Sequence, residues 1–215
     1  MIPLLMIFKN RRSETLHKYN TLILKLLRTK VETVGMRDNS ADMFVINHQG
    51  IIDIIAMEAA QNSDIRWIAK KELFELPWIG YLLKIPNMIS VDREDKAGLI
   101  KLMRDVKETI EGQQHRIVAI FPEGTRNSNQ ELLSFKSGTK VVAEKLSIKI
   151  QPIVITNSKY VLNEHNKTAN FPTSVHITYL DTFQVDKNNK EWYKELQSKM
   201  QTVIDYEKDT YNRER

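Results

Sequence analysis

Met43-Phe44-Val45-Ile46-Asn47-His48-Gln49-Gly50-Ile51-Ile52-Asp53 is the stretch that decides the fold. Its first four residues have the β-branched and aromatic character of a buried strand. From Ile51 through Ile54-Ile55-Ala56-Met57-Glu58-Ala59 the chain is helix-compatible. A buried strand passing straight into a helix is the building unit of an α/β domain. His48 then sits at the strand-to-helix turn, where a side chain projects from the rim of a sheet, and Asp53 falls about one turn into the helix. A carboxylate that accepts the Nδ1 proton of a histidine leaves Nε2 as a general base and stabilises the imidazolium that forms. A His-x-x-x-x-Asp spacing occurs often by chance, so its weight depends on what else shares the rim.

Outward from that stretch, strands and helices alternate. Ile65 to Ala69 reads as a second strand, leading into a short helical start, Lys70 to Leu76, that Pro77 stops. The apolar run Trp78 to Ile85 reads as a short helix that packs in the core, meets lipid or lines a hydrophobic pocket. Met88 to Val91 is a brief strand. Beyond Asp95, the residues Leu99, Met103, Val106 and Ile110 fall on one stripe of a helix that ends near Gly112. Ile117 to Phe121 is the cleanest buried strand, and Pro122-Glu123-Gly124-Thr125-Arg126 follows it. A helix over Thr139 to Leu146, strands at Ile150 to Ile155 and Val175 to Leu180, and a final helix from Glu191 with Trp192, Leu196, Met200 and Val203 on one side complete the pattern. The reading is an α/β fold, a mostly parallel sheet flanked by helices, with an N-terminal amphipathic helical appendage. His48, Lys70, Arg93 and Glu123 to Arg126 all follow directly from expected strands, and ligands of such sheets gather where strands end and helices begin.

Composition removes several classes of function. The chain of 215 residues has no cysteine, which excludes disulfides, thiolate metal sites and a cysteine nucleophile. His48 and Asp53 have no second histidine clustered with them, so no metal is expected. The net charge of +5 attracts phosphates without choosing their source. Lysines and arginines are dispersed, with no aromatics interleaved on a basic stripe, so nucleic acid is not an expected partner. No run of roughly 18 apolar residues reads as a membrane-crossing helix. The start, Met1 to Phe8, is apolar, and Lys9-Asn10-Arg11-Arg12 comes after it, the reverse of a signal peptide. Leu16, Tyr19, Ile23, Leu26 and Leu27 continue at helical spacing beside Lys18, Lys25 and Arg28, the pattern of a helix lying in a lipid headgroup layer; the competing reading is a helix packed on the protein's own core.

Four blocks occur in order: Asn47-His48 with Asp53, Val91-Asp92-Arg93, Phe121 to Arg126, and Gln151-Pro152-Ile153-Val154-Ile155. Together they resemble the motifs of the glycerolipid acyltransferases, most of all the bacterial lysophosphatidic acid acyltransferases, over about residues 43 to 156. The chain then divides into residues 1–34, read from their pattern as an N-terminal membrane-surface helical segment, and residues 35–215, which the resemblance makes an acyltransferase domain. The resemblance implies that a hydroxyl of lysophosphatidic acid attacks an acyl thioester of acyl carrier protein or coenzyme A, giving phosphatidic acid, with no other cofactor. His48 would take the hydroxyl proton and Asp53 would hold the imidazole, as in a hydrolase triad with the substrate's hydroxyl in place of serine. Arg93 and Arg126 would hold the phosphate; Glu123, Gly124 and Thr125 would shape the acceptor site; Lys70 would help stabilise the oxyanion. Lys136 would add positive potential. The expected location is peripheral or monotopic on the cytoplasmic face of the cell membrane.

The chain departs from the family at two places. Position 50, often serine there, is Gly50. Asn87 and Ser90 stand where a glycine and a phenylalanine usually precede the arginine of the second block, which leaves the acceptor head group open. The alternatives are an acyltransferase acting on another lysophospholipid, or a non-catalytic lipid-binding protein on the same scaffold.

Overall fold

Short apolar runs with no solvent-facing side put β-strands at the centre of a sheet. The structure, a computed structural model, describes residues 11–61, 64–92, 95–112, 116–127 and 129–213. The apolar start at Met1 to Phe8, and Arg93, lie outside the described residues. In chain order the elements are α1 (Arg12–Leu26), β1 (Thr29–Val34), β2 (Met43–Ile46), α2 (Ile51–Ala60), β3 (Ile65–Lys70), a 3-10 turn (Lys71–Phe74), α3 (Ile79–Lys84), β4 (Ile89–Val91), α4 (Lys96–Ile110), β5 (Ile117–Ile120), α5 (Ser137–Leu146), β6 (Lys149–Thr156), α6 (Ser158–Val161), β7 (Leu162–Asn163), β8 (Thr168–Ala169), β9 (Thr173–Tyr179), β10 (Phe183–Gln184) and α7 (Trp192–Arg213).

The main sheet runs β4-β3-β5-β2-β6-β9-β1, with β10 beside the start of β6. All pairs from β4 through to β6 are parallel, β9 and β10 run antiparallel to β6, and β1 is parallel to β9. Every side chain of β2 and β5 is buried, and successive residues feed opposite faces. Met43, Val45, Val118 and Ile120 join the core under α4, α5 and α7; Phe44, Ile46, Ile117 and Ala119 join the core under α1, α2 and the 3-10 turn. The helical stripes meet the first of these cores as their spacing requires, with Leu99, Leu102, Met103, Val106 and Ile110 from α4 and Trp192, Leu196, Met200 and Ile204 from α7.

Pro152 lies inside β6, a position that lacks a ladder donor. Its C=O accepts the Leu180 N–H at 3.0 Å, and its nitrogen faces the same side, toward the chain that leaves β9. The reciprocal bond to the Leu180 C=O is missing, and that carbonyl accepts Gln151 Nε2 at 3.2 Å instead.

Two features sharpen the sequence reading. The N-terminal amphipathic helix α1 packs on the rest of the fold: Leu16, and Leu27 just beyond the helix end, join the second core, and His17 Nδ1 lies 3.2 and 3.1 Å from the Glu58 and Gln61 carbonyls at the C-terminal end of α2. Residues 29–34, placed within the N-terminal segment, form the edge strand β1. That strand was unreadable because its outer residues are polar and exposed and only Thr29 is buried. No described helix is long and apolar enough to cross a membrane.

Candidate active site

The parallel strands β2, β5, β3, β4 and β6 all end at one edge of the sheet, and the chemistry is assembled there. Where β2 ends, Asn47 continues the ladder with its side chain. Its Nδ2 donates to the Ile155 C=O at 2.8 Å and its Oδ1 accepts the Ile155 N–H at 2.7 Å. An amide can replace a peptide group in this way, and doing so releases the main chain to turn out of the sheet at His48.

The His48 peptide is then fixed on both sides by the loop after β5. Its N–H donates to Glu123 Oε1 at 2.8 Å, and its C=O accepts the Asn127 N–H at 2.9 Å. Nδ1 of His48 lies 2.8 Å from Asp53 Oδ2. That oxygen also accepts the amide N–H groups of Gln49 at 2.6 Å and Gly50 at 2.9 Å, the second being the N-cap of α2. The other oxygen, Oδ1, accepts the hydroxyl of Ser158. Asp53 is 0% exposed, so these four donors do the work of solvent. A carboxylate on Nδ1 fixes the tautomer whose Nε2 carries a lone pair, which is the requirement for a general base.

The imidazole plane is set by stacking. The rings of His48 and Phe121 lie 3.8 Å apart at 11°, and Trp67 stacks behind Phe121 at 5.3 Å. The indole N–H of Trp67 donates to Glu58 Oε1 at 2.7 Å, on the same helix as Asp53. Burial pushes the Glu58 carboxyl up to about 7, against the pull of the Trp67 hydrogen bond.

Glu123 shapes the loop from within. It is 1% exposed, and both its oxygens are used on backbone, Oε1 by His48 and Oε2 by the Leu133 N–H at 2.8 Å. It therefore joins the His48 turn to the loop. Burial pushes its carboxyl up to about 7. Pro122 and Gly124 make that geometry possible: the Gly124 N–H closes a turn onto the Phe121 C=O at 3.1 Å, and Gly124 has φ +73°.

Thr125 and Arg126 are exposed on the outer side of this turn. Arg126 pairs with Glu164 at 2.6 Å, from the loop between β7 and β8. Together with Gln49, Lys159, Asn163 and His165 they line a cavity of about 360 Å³ beside the His48 turn. Lys70 ends β3 and is exposed on the same edge, with β5 between it and β2. Lys136 acts through its backbone, donating to the Pro122 C=O and accepting the Tyr193 hydroxyl. Asn87 has φ +57°. An asparagine tolerates that left-handed conformation better than other non-glycine residues, so the backbone survives the loss of the family's usual glycine.

A family model described as Acyltransferase matches residues 28–156, more than half of the chain. The chain belongs to the Acyltransferase family. Among acyltransferases it is similar to the 1-acyl-sn-glycerol-3-phosphate acyltransferase of Helicobacter pylori, with 39% identity over 194 residues, 90% of this chain and 81% of that one. It is also similar to 1-acyl-sn-glycerol-3-phosphate acyltransferase beta of Homo sapiens, with 30% identity over 125 residues, 58% of this chain and 45% of that one. The crystal structure of the 1-acyl-sn-glycerophosphate acyltransferase from Thermotoga maritima shares the fold, with TM-score 0.76 and 20% identity over 92% of this chain and 80% of that one.

In this acyltransferase several site residues escaped the sequence reading. Ser158 was signalled: it stands two residues beyond the end of β6, the same relation that His48 has to β2. Gln49, Gln130 and Asn157, which bond side chain to side chain beneath the turn, carried no signal, and neither did Glu164 in the loop between the two-residue strands β7 and β8.

Two expectations follow. The folded-state values of Glu58 and Glu123 lie near 7, above the ordinary value of 4.5. Their contribution to stability is therefore complete below about pH 4.5 and is lost as pH rises through about 7. Urea unfolding should show stability falling over that window, and the fall should be shallower in Glu58→Gln. Ser158→Ala removes one donor from Asp53; kcat should drop about tenfold, the rate equivalent of one hydrogen bond to a charged group, with KM little changed. An unchanged kcat in that variant would show that Asp53 does not need the hydroxyl.

Proposed function

We propose that this acyltransferase moves a fatty acyl group from an acyl thioester to the free hydroxyl of lysophosphatidic acid, giving phosphatidic acid. The observation that carries the mechanism is the His48–Asp53 pair with no protein nucleophile beside it among the described residues: Gly50 offers no hydroxyl, and the fully buried Ser158 donates its hydroxyl to Asp53. The nucleophile is then the acceptor's own hydroxyl. Nε2 of His48 takes its proton as the oxygen attacks the thioester carbonyl, and a tetrahedral oxyanion forms. The C–S bond breaks, the leaving thiolate takes the proton from Nε2, and His48 returns to its neutral form.

Arg126 binds the acceptor's phosphate, exchanging the Glu164 carboxylate for it, since a guanidinium matches either anion in a two-point contact. Arg93 is assigned to the same phosphate from its motif position. Lys70 is assigned to the oxyanion. Both donors, acyl carrier protein and coenzyme A, present the same thioester, so the chemistry at His48 is common to them. The acceptor is an amphiphile, which supports a protein working at a lipid surface on the cytoplasmic side of the membrane, with the N-terminal segment facing that surface.

Purified protein with lysophosphatidic acid in detergent, supplied in parallel with acyl-coenzyme A and with acylated carrier protein, should release free thiol and form diacylated product. His48→Ala should lose activity by at least about a thousandfold with its fold intact, and wild-type turnover in that variant would end the general-base assignment. Arg126→Ala should raise KM for the phosphorylated acceptor by roughly tenfold or more. Should its acceptor dependence match that of the parent, the phosphate is held elsewhere.

A further inference from the structure

The loop that leaves β3 carries an exposed apolar cluster on a strained backbone. Leu76, Pro77, Trp78 and Ile79 are four consecutive apolar residues, all exposed, and Tyr81 beside them is exposed too. Trp78 is 74% exposed. It sits at φ +64°, ψ −50°, at the centre of a γ-turn closed by the Ile79 N–H on the Pro77 C=O at 2.7 Å. This is the rarer, strained hand of the γ-turn, and for a bulky residue it persists only where the surroundings impose it.

They do impose it here. The Gly80 N–H bonds to the Leu76 C=O at 2.9 Å, and a Cβ at Gly80 would lie 2.3 Å from the Phe74 C=O, so the turn is seated directly on the 3-10 segment. Phe74 and Leu83, on either side of it, pack into the core under α1 and α2. A rigid mount thus holds an indole out in solvent at a conformational cost, and no contact within the described fold gains from its exposure.

Position says what the indole meets. The turn follows β3 at the sheet edge where β2 ends at His48. Strand β1 runs opposite to β2, so its start, and the end of α1 before it, reach the same edge. There Leu22 and Leu26 of α1 are exposed among the exposed bases Lys25, Arg28 and Lys30. Beside the Trp78 turn stand Lys70, Lys71 and Lys84, with Lys71 paired to Asp92, against the exposed Glu72 and Glu75. Over the two points together the bases named outnumber the acids, the excess coming from the end of α1, which suits an anionic lipid surface, and tryptophan is a side chain favoured at the headgroup boundary.

We infer that the Leu76–Tyr81 turn is a membrane-docking element that sets Trp78 into the headgroup layer of an anionic phospholipid bilayer, next to the edge that carries His48. The inference deepens the proposed acyl transfer at a lipid surface and rests on that reading for its purpose, though its test needs neither substrate.

Of the three tryptophans, Trp67 and Trp192 are each 4% exposed, so lipid-dependent emission reports Trp78. With phosphatidylglycerol vesicles containing no lysophosphatidic acid or thioester, emission of the full chain should shift to shorter wavelength and be quenched by lipids brominated near the headgroup. Trp78→Phe should abolish both changes. Trp78→Gly should raise Tm, because glycine relieves the positive φ, and should weaken vesicle flotation by roughly tenfold. That opposition of stability and docking is not expected of an incidental surface residue. A chain that fails to float, one that floats with its emission unmoved, or a shift produced by acyl carrier protein without lipid overturns the inference. Quenching without acyl transfer to lysophosphatidic acid would leave it standing and overturn the proposed reaction instead.

Discussion

A carboxylate with no solvent contact has to be satisfied by the protein, and the active edge of this acyltransferase is arranged around that requirement at Asp53. Its four donors come from His48, the backbone of Gln49 and Gly50, and Ser158. Three of them belong to the turn between β2 and α2, so meeting Asp53 also shapes the turn that presents His48. The fourth joins that turn to the end of β6. Orientation of the imidazole, the start of α2 and the closure of two strand ends are thus one structural problem with one solution.

Two further acids are buried close by, and desolvation pushes both carboxyls up to about 7. Glu123 joins the His48 peptide to the loop before Leu133, and Glu58 holds the indole that backs the Phe121–His48 stack. Each gives up stability as it ionises while fixing a surface against which the imidazole rests, a trade that recurs where a site must be rigid.

The legible part of the sequence was the part governed by local rules. Continuous apolar runs exposed β2, β5 and β6, helical stripes exposed α4 and α7, and the rule that ligands gather where parallel strands end grouped His48 with Lys70 and the loop from Glu123 to Arg126. Edge strand β1 and the two-residue β10 were not readable, and β9 was readable as a strand but not in its antiparallel direction, because pairing there is chosen by tertiary neighbours rather than by composition. The backbone bonds of Glu123 were hidden for a related reason. A polar residue in a glycine turn gives no sign of its partners, and only the fold reveals that both oxygens accept from backbone. Helix α1 has the amphipathic stripe of a surface helix, and its buried side lies on α2 within the same molecule.

The base and its carboxylate are only five residues apart, yet what holds them is remote in sequence. His48 leans on Glu123 across 75 positions, Asp53 on Ser158 across 105, and Asn47 on Ile155 across 108. Contacts of that separation form only once the intervening chain has been laid down, and they raise the entropy that must be lost before they form. A nascent chain therefore carries the whole dyad long before it has a usable one. The contacts that orient His48 and Asp53 are complete only with β6 closed onto β2, so the central sheet also finishes the turn it presents.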